Sequence, residues 1–332
     1  MYEMKVHIME TIPPRLQARI EQRNRTLRAA MAAHPGGLAP HFILNVTKKW
    51  KSGQTVTIAF KGGDAALHGK IADSVSEWTK FANLKFDFGK TTGGVYRKWS
   101  PSDKTYAAQV RVSFDQSGYY SLVGNDSINK TVSKTGEESL NLEGFDQTLP
   151  DDWKAVAQHE FGHAIGFEHE HQSPVAPCDF RFDDDAGYVP TTDSFGQFIP
   201  DSGGRRPGLY TLLGGPPNNW PQAVVDFNLK QLHDSHAYVV GPFDKDSIMK
   251  YFFESWMFVS GKDSACFTGR ENLVISAGDK KGAGTVYPKA PADIATATQE
   301  QTGVLQGLVQ SGNVPAEAKA HFQQSLNMLQ DH

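Results

Sequence analysis

No apolar run in the 332 residues approaches the length of about 18 that spans a bilayer, so the sequence offers no membrane span. Only two cysteines occur, Cys178 and Cys266, which excludes a disulfide-dense scaffold. Neither has a close Cys or His at zinc spacing, so they do not read as metal ligands; one disulfide in an exported protein and two buried thiols both remain open. No Cys precedes Cys178 and no Asp precedes Asp64. Lys and Arg (33) nearly balance Asp and Glu (37), and no basic stripe stands out, so the electrostatic footprint of a nucleic-acid binder is missing. There is no internal repeat and no low-complexity stretch. Residues 1–10 have no apolar core and no small-residue cleavage site, so no signal peptide is read there. Secretion with the leader already removed, export by another route and a cytosolic location are all compatible with that.

The sequence does hold one dense constellation, residues 159–170, reading His-Glu-Phe-Gly-His-Ala-Ile-Gly-Phe-Glu-His-Glu. His159 and His163 are four apart, which on a helix sets them on one face, one turn apart, able to grip one ion. Neutral imidazole suits zinc, and three protein ligands with an open fourth position is the catalytic arrangement. Glu160 can then reach a water on that metal as general base without being a ligand. Gly166 sits where the helix could end on a left-handed residue, and the reversed chain would return His169 to the same metal. Pro150-Asp151-Asp152 is a plausible helix start, and Trp153, Ala157 and Ala164 keep helical spacing on a packing face. A buried helix whose histidines merely hydrogen-bond is the bland reading; it suits a lone His far better than this full pattern.

The stretch resembles the long zinc signature of the metzincin endopeptidases, and its closing Phe167-Glu168-His169-Glu170 is most similar to the astacin family. That resemblance implies a tight turn carrying Met downstream, and Asp246-Ser247-Ile248-Met249-Lys250-Tyr251 follows about 80 residues later. It implies Met249 as the apolar floor of the metal site and Tyr251 as a fifth, switchable zinc ligand that stabilises the oxyanion. Lys250 stands where astacins usually carry His, a departure that bears on the electrostatics of the cleft. Glu170 is no ligand; in the family its counterpart holds the mature N-terminus. Astacin-like prosegments cap the zinc with an Asp, and none is available before Asp64; Glu3, His7 or Glu10 could substitute, without support from their spacing.

Residues 1–40 read as an N-terminal extension with a helix over 16–33, packing on the enzyme. Residues 41–289 read as an α+β, metzincin-like catalytic domain. Its upper subdomain (41–170) should hold a twisted mixed sheet and two helices, and its lower subdomain (171–289) is irregular. Within it, 55–60 alternates as a half-buried strand, and Leu67, Ile71, Val75, Trp78 and Ala82 repeat at helical spacing. Residues 84–88 and 110–114 return to period two, and the run 78–83 looks like the upper subdomain of an astacin-like protease. Residues 117–124 lie where the family has an edge strand on the cleft rim, a place an extended peptide could pair. Asp183-Asp184-Asp185 lacks the calcium-loop pattern and reads as a solvated turn. His171 reads as surface or as lying just outside the ligand set, and His233 and His236 as structural. Sequons occur at Asn24, Asn45, Asn125 and Asn129. Residues 275–288 resemble the family's last helix. A helical tail, 290–332, carries patterns at 296–309 and 316–329 that could pack on the body or bind a partner.

The sequence therefore points to a zinc-dependent endopeptidase, with two rivals: a silent zinc-bearing module that binds protein or glycan, and a narrowly specific effector protease. Its expected partners are one zinc ion and protein or peptide substrates, with no nucleic acid and no membrane span, and its expected location is secreted. Retention of Glu160 favours the enzyme, since a closed structural site has no use for a base.

Overall fold

Alternation of Val56, Ile58 and Phe60 builds β1 (Thr55–Phe60), with those three side chains fully buried. The structure, a computed structural model, describes residues 12–32, 48–232, 241–312 and 314–330; Glu3, His7, Glu10, Asn45, His233 and His236 lie outside them. β1 stands in a five-stranded sheet with β2 (Lys85–Asp87), β3 (Val110–Ser113), β4 (Tyr119–Ser121) and β5 (Leu140–Leu142), in the order β2-β1-β3-β5-β4. The pairings β1/β2, β1/β3 and β3/β5 are parallel, and β4 alone runs antiparallel, with Tyr120 opposite Asn141. The edge strand expected within 117–124 is β4.

Parallel strands need cover on both faces. One face packs α2 (Ala65–Val75) and α3 (Trp153–Ala164) through a core that includes Ile71, Trp78, Val112, Leu140, Ala157 and Phe161. The expected stripe of Leu67, Ile71, Val75, Trp78 and Ala82 is buried throughout, although the α-helix tightens into a 3-10 turn at Ser76–Lys80. Asp64 caps α2 by accepting from the Leu67 amide at 2.8 Å. Tyr119 packs toward this core while its neighbour Tyr120 points to the opposite face, as adjacent strand residues must.

On that opposite face lies α1 (Pro14–Ala32), the helix expected over 16–33. Leu16 and Ile20 pack on Tyr120, Leu122 and Val132. Arg23 pairs with Asp126, Arg19 with Glu137 and Arg15 with Glu138. The C-terminal helices α7 (Pro291–Gln310) and α8 (Ala316–Gln330) pack against each other, and α8 reaches α1. Leu305, Leu308, Phe322, Leu326 and Leu329 are buried, so the tail packs on the body. Asn129 bonds His321 of α8, and both Asn129 and Asn125 are buried, which leaves neither sequon accessible to a glycan in the folded chain.

The lower part is irregular, as its loss of periodicity implied. It holds the hairpin of β6 (Thr191–Thr192) and β7 (Phe198–Ile199), with α4 (Leu209–Gly214), α5 (Gln222–Leu229) and α6 (Ala277–Val286). A second core gathers Phe180, Leu209, Leu213, Val225, Phe253 and Phe258. Cys178 and Cys266 are disulfide-bonded, with Cα atoms 5.1 Å apart, which decides a pairing the sequence left open. The acids at 184 and 185 are used within their own loop: Asp184 accepts from the Gly208 amide at 2.6 Å and Asp185 from the Arg206 amide at 2.7 Å. No described helix is long and apolar enough to cross a membrane.

Candidate metal centre

α3 presents His159 and His163 one turn apart, and the chain reverses because Gly166 takes φ of +103°, a region that only glycine enters cheaply. The reversal returns His169. Nε2 of His163 lies 3.2 Å from Nε2 of His159 and 3.1 Å from Nε2 of His169. Each Nδ1 faces an oxygen: His159 meets the Ile248 carbonyl at 2.7 Å, His163 the Phe167 carbonyl at 2.6 Å, and His169 the Oε1 of Gln172 at 3.1 Å. The Gln172 amide is oriented by its own nitrogen, which donates to the Phe227 and Lys230 carbonyls.

Those oxygens only accept, so in the neutral rings the proton sits on Nδ1 and each Nε2 presents a bare lone pair. Three such lone pairs converging on one point repel unless a cation lies among them. Tetrahedral zinc with Zn–N near 2.0–2.1 Å separates its ligand nitrogens by about 3.3–3.4 Å. The rings match that spacing to within a few tenths of an ångström, and the donor set therefore fits zinc. Burial pushes the His169 imidazole down to about 4, against the opposing pull of Gln172 and Glu168, which keeps it neutral as a ligand must be.

Glu160 is buried, and with His159 and Tyr251 it lines a recess of the cleft measuring about 90 Å³, which Tyr119 beside the sheet edge also borders. The Tyr251 ring lies 4.4 Å from that of His169 and 5.5 Å from that of His159. Met249 is buried beneath α3 against Gly162. The turn that carries it is held by Asp279, which accepts from the Ser247 hydroxyl at 2.5 Å and the Ile248 amide at 2.9 Å while also closing the capping box of α6 with Ser276.

Glu170 ties the two motifs together. Its amide donates to the Met249 carbonyl at 3.0 Å, and its carboxylate accepts from the Asp244 amide at 2.8 Å. Burial pushes that carboxyl up to about 7, opposed by the Asp244 amide and helped by the charges of Asp279 and Asp244. Glu170, Asp244 and Asp279 border a cavity of about 490 Å³ behind His169.

The sequence brought out His159, Glu160, His163, Gly166, His169, Met249 and Tyr251, and the fold gathers them in one place. His171 is buried rather than on the surface: its Nε2 meets the Asn228 carbonyl at 2.9 Å and its ring packs against Tyr251 and Phe253. Reasoning from sequence missed the groups that finish α3. The Trp50 indole donates to the Ala164 carbonyl at 2.8 Å and the Tyr287 hydroxyl to the Ile165 carbonyl at 2.5 Å, satisfying acceptors that every helix end leaves open. It also missed the hold of Asp279 on the methionine turn, although Ser276-x-x-Asp279 is a capping-box pattern that can be read in the sequence.

No protein-family model matches the chain, and no curated protein does. Among solved structures, one of myroilysin aligns with 28% identity and a TM-score of 0.55, covering 74% of this chain and 97% of that one. A second myroilysin structure aligns with 26% identity and a TM-score of 0.43, covering 73% and 86%. High choriolytic enzyme 1, a hatching enzyme zinc-protease from Oryzias latipes, aligns with 17% identity and a TM-score of 0.35, covering 77% and 94%. The first of these alone bears weight; myroilysin is an astacin-family zinc metalloprotease. With that likeness, the mixed sheet above the cleft and three imidazoles spaced for zinc, the chain is a zinc metalloendopeptidase whose fold and metal centre are similar to those of the astacin-like enzymes.

Proposed function

We propose that the protein hydrolyses internal peptide bonds of proteins outside the cell, with zinc held by His159, His163 and His169, Glu160 as general base and Tyr251 as oxyanion donor. The observation that carries this reading is the convergence of three Nε2 lone pairs beside a recess lined by Glu160. When bound, zinc supplies a Lewis acid and lowers the pKa of its water toward about 7. Glu160 takes a proton from the attacking water and hands it to the departing amine, ending the cycle unchanged. Tyr251, which would also help to hold the metal, would donate a hydrogen bond to the scissile carbonyl oxygen as charge builds there.

The outer position of β4 in the sheet suits an extended substrate, whose main chain can pair with an edge strand while side chains drop to either side. Gly166 and Met249 shape the site without chemistry of their own. Glu170, with Asp244 and Asp279 around the cavity behind it, suits the ammonium of a processed N-terminus. Secretion is supported by the Cys178–Cys266 disulfide, which persists in oxidising compartments.

The test is Glu160→Gln. Zinc content by elemental analysis should stay at the wild-type stoichiometry, while hydrolysis of casein, itself abolished by a chelator in the wild type, falls by about 10²–10⁴-fold. A Glu160→Gln protein that still digests casein at the wild-type rate would remove Glu160 from the mechanism.

A further inference from the structure

Beside α8, a cavity of about 740 Å³ lies between that helix, β1 and the segments around Gln109 and Asn129. Sites for small organic ligands commonly measure about 300–1,000 Å³. Thr57 borders the cavity, and its neighbours in β1, Val56 and Ile58, pack in the core shared with α3. Alternation along the strand therefore sets the cavity on the opposite face of the sheet from the zinc helix. Among the described residues Lys130 is its one charged lining side chain, and no carboxylate borders it.

Amides and rings of fixed orientation border it instead. Gln109 Oε1 accepts from the Thr57 amide at 2.8 Å and hydroxyl at 3.2 Å, so the Gln109 nitrogen remains a donor, without an acceptor among the described residues. Gln324 is the reverse: its nitrogen donates to the Ile128 carbonyl at 2.7 Å, leaving Oε1 to accept. Asn327 Oδ1 accepts from Gln323 at 2.8 Å, leaving its nitrogen to donate. His321 carries the clearest deficit. Asn129 Oδ1 accepts from the Thr131 amide and hydroxyl, so the Asn129 nitrogen donates to Nδ1 of His321 at 2.7 Å. Burial, then the charge of Arg23, push that imidazole down to about 4 against the pull of Asp126, and the neutral ring carries its proton on Nε2. That Nε2 is buried with no acceptor among the described residues, a state that native proteins seldom leave uncompensated. Tyr106 is pinned as well: its hydroxyl donates to the Ser133 carbonyl at 2.8 Å and the Arg111 guanidinium lies 4.8 Å from its ring centre, so it contributes a fixed ring.

From this we propose that the cavity is a binding site for a neutral oligosaccharide, remote from the metal centre. A sugar hydroxyl donates and accepts at once, which is what a mixed set of free donors (Gln109, Asn327, His321) and a free acceptor (Gln324) requires. The C–H face of a sugar ring can pack on Tyr106. Other ligand classes fit less well. An anion would find a single exposed lysine, and a hard cation no carboxylate. An extended peptide needs open main-chain groups on a strand, and here the Thr57 and Gln109 amides are each taken by the other's side chain.

The test is calorimetric titration of the full chain, zinc-loaded, with a panel of neutral oligosaccharides built of glucose, galactose, mannose or N-acetylglucosamine. At least one should bind saturably. Ala320 and Asn327 border the cavity from exposed positions on α8. Ala320→Phe, which fills the cavity, and Asn327→Leu, which removes a donor, should each weaken that binding by about 10-fold or more. Thermal melts and casein hydrolysis should stay at wild-type levels in both, since neither residue touches the metal centre. Loss of sugar binding in both variants with unchanged melts supports the site. No saturable binding by any member of the panel overturns it, and so does binding that both variants keep. Heparin fragments that bind more tightly than every neutral sugar, and lose that advantage in Lys130→Gln, overturn the neutral class. Sugar binding at the cavity in a protein that cuts no casein retains this site and overturns the peptidase reading.

Discussion

Gly162 and Met249 touch where a side chain on the glycine would not fit: a β-carbon there would stand 2.3 Å from Sδ of Met249 and 3.2 Å from the Trp78 ring. The helix that carries the histidines is therefore bare at the point where the methionine turn presses up beneath it. Gly162→Ala should gain about 1 kcal/mol of helix propensity. Overpacking costs about 1–3 kcal/mol, and Met249 and Trp78 are both almost fully buried, so neither can move aside freely. The expected result is a net loss of stability in thermal melts, together with weaker zinc retention. Adding Met249→Ala should relieve the clash, giving a coupling of about 0.5–3 kcal/mol in the double-mutant cycle. A Gly162→Ala protein as stable as the wild type would mean the thioether yields.

The roles assigned around the metal separate by their readouts. His163→Ala should lose zinc and casein hydrolysis together, because two imidazoles do not make the site. Tyr251→Phe should keep the zinc stoichiometry and lower kcat by about 10²–10³-fold, the usual loss for one oxyanion donor. Unchanged turnover in Tyr251→Phe would take the phenol out of the mechanism.

The disulfide should matter for stability more than for the metal. Cys178 and Cys266 are 88 residues apart, and the chain-entropy relation gives about 4–5 kcal/mol for closing a loop of that length, while measured values centre on about 2–4. Cys178→Ser/Cys266→Ser should lower the denaturant midpoint accordingly and leave zinc stoichiometry unchanged under native conditions. An unaltered midpoint would place the second core, around Phe180 and Phe258, as sufficient by itself.

How far the sequence could be read follows from where each feature's information lies along the chain. His159, His163, Gly166 and His169 are neighbours in sequence, so helical spacing and one glycine turn contain their geometry. Leu67, Ile71, Val75, Trp78 and Ala82 similarly carry their burial in a local repeat. Trp50 and Tyr287 finish the same helix from 114 and 122 residues away, and no local pattern announces such a contact. Ser276-x-x-Asp279 has the local spacing of a helix cap, but the hold of Asp279 on Ser247 and Ile248 depends on how α6 docks. His171, polar and flanked by polar residues, carried no sign that the cores close over it. The cysteine pairing needed a distance between Cα atoms, which spacing along the chain does not supply.

The clamp of α1 on the body should be acid-labile, with a sign that one substitution reverses. Arg23 and Asp126 are almost fully buried and meet through two hydrogen bonds of 2.5 and 2.6 Å, with Lys48 and His321 also facing the carboxylate. Burial alone would raise the Asp126 pKa, but the Arg23 guanidinium outweighs it and the net shift is downward. A depressed folded pKa stabilises fully above the unfolded value of about 3.9, and that stability is lost as pH falls through the folded value. Arg23→Met strands the carboxylate, which should cost about 3–5 kcal/mol at neutral pH. Burial then governs Asp126, its folded pKa rises, and the penalty fades as acid protonates it. The gap in melting temperature between wild type and Arg23→Met should therefore be wide at pH 7 and narrow by about pH 3, with proteolytic nicking of α1 following the same trend. A gap that stays constant across that range would show that the pair contributes packing and no charge-dependent stability.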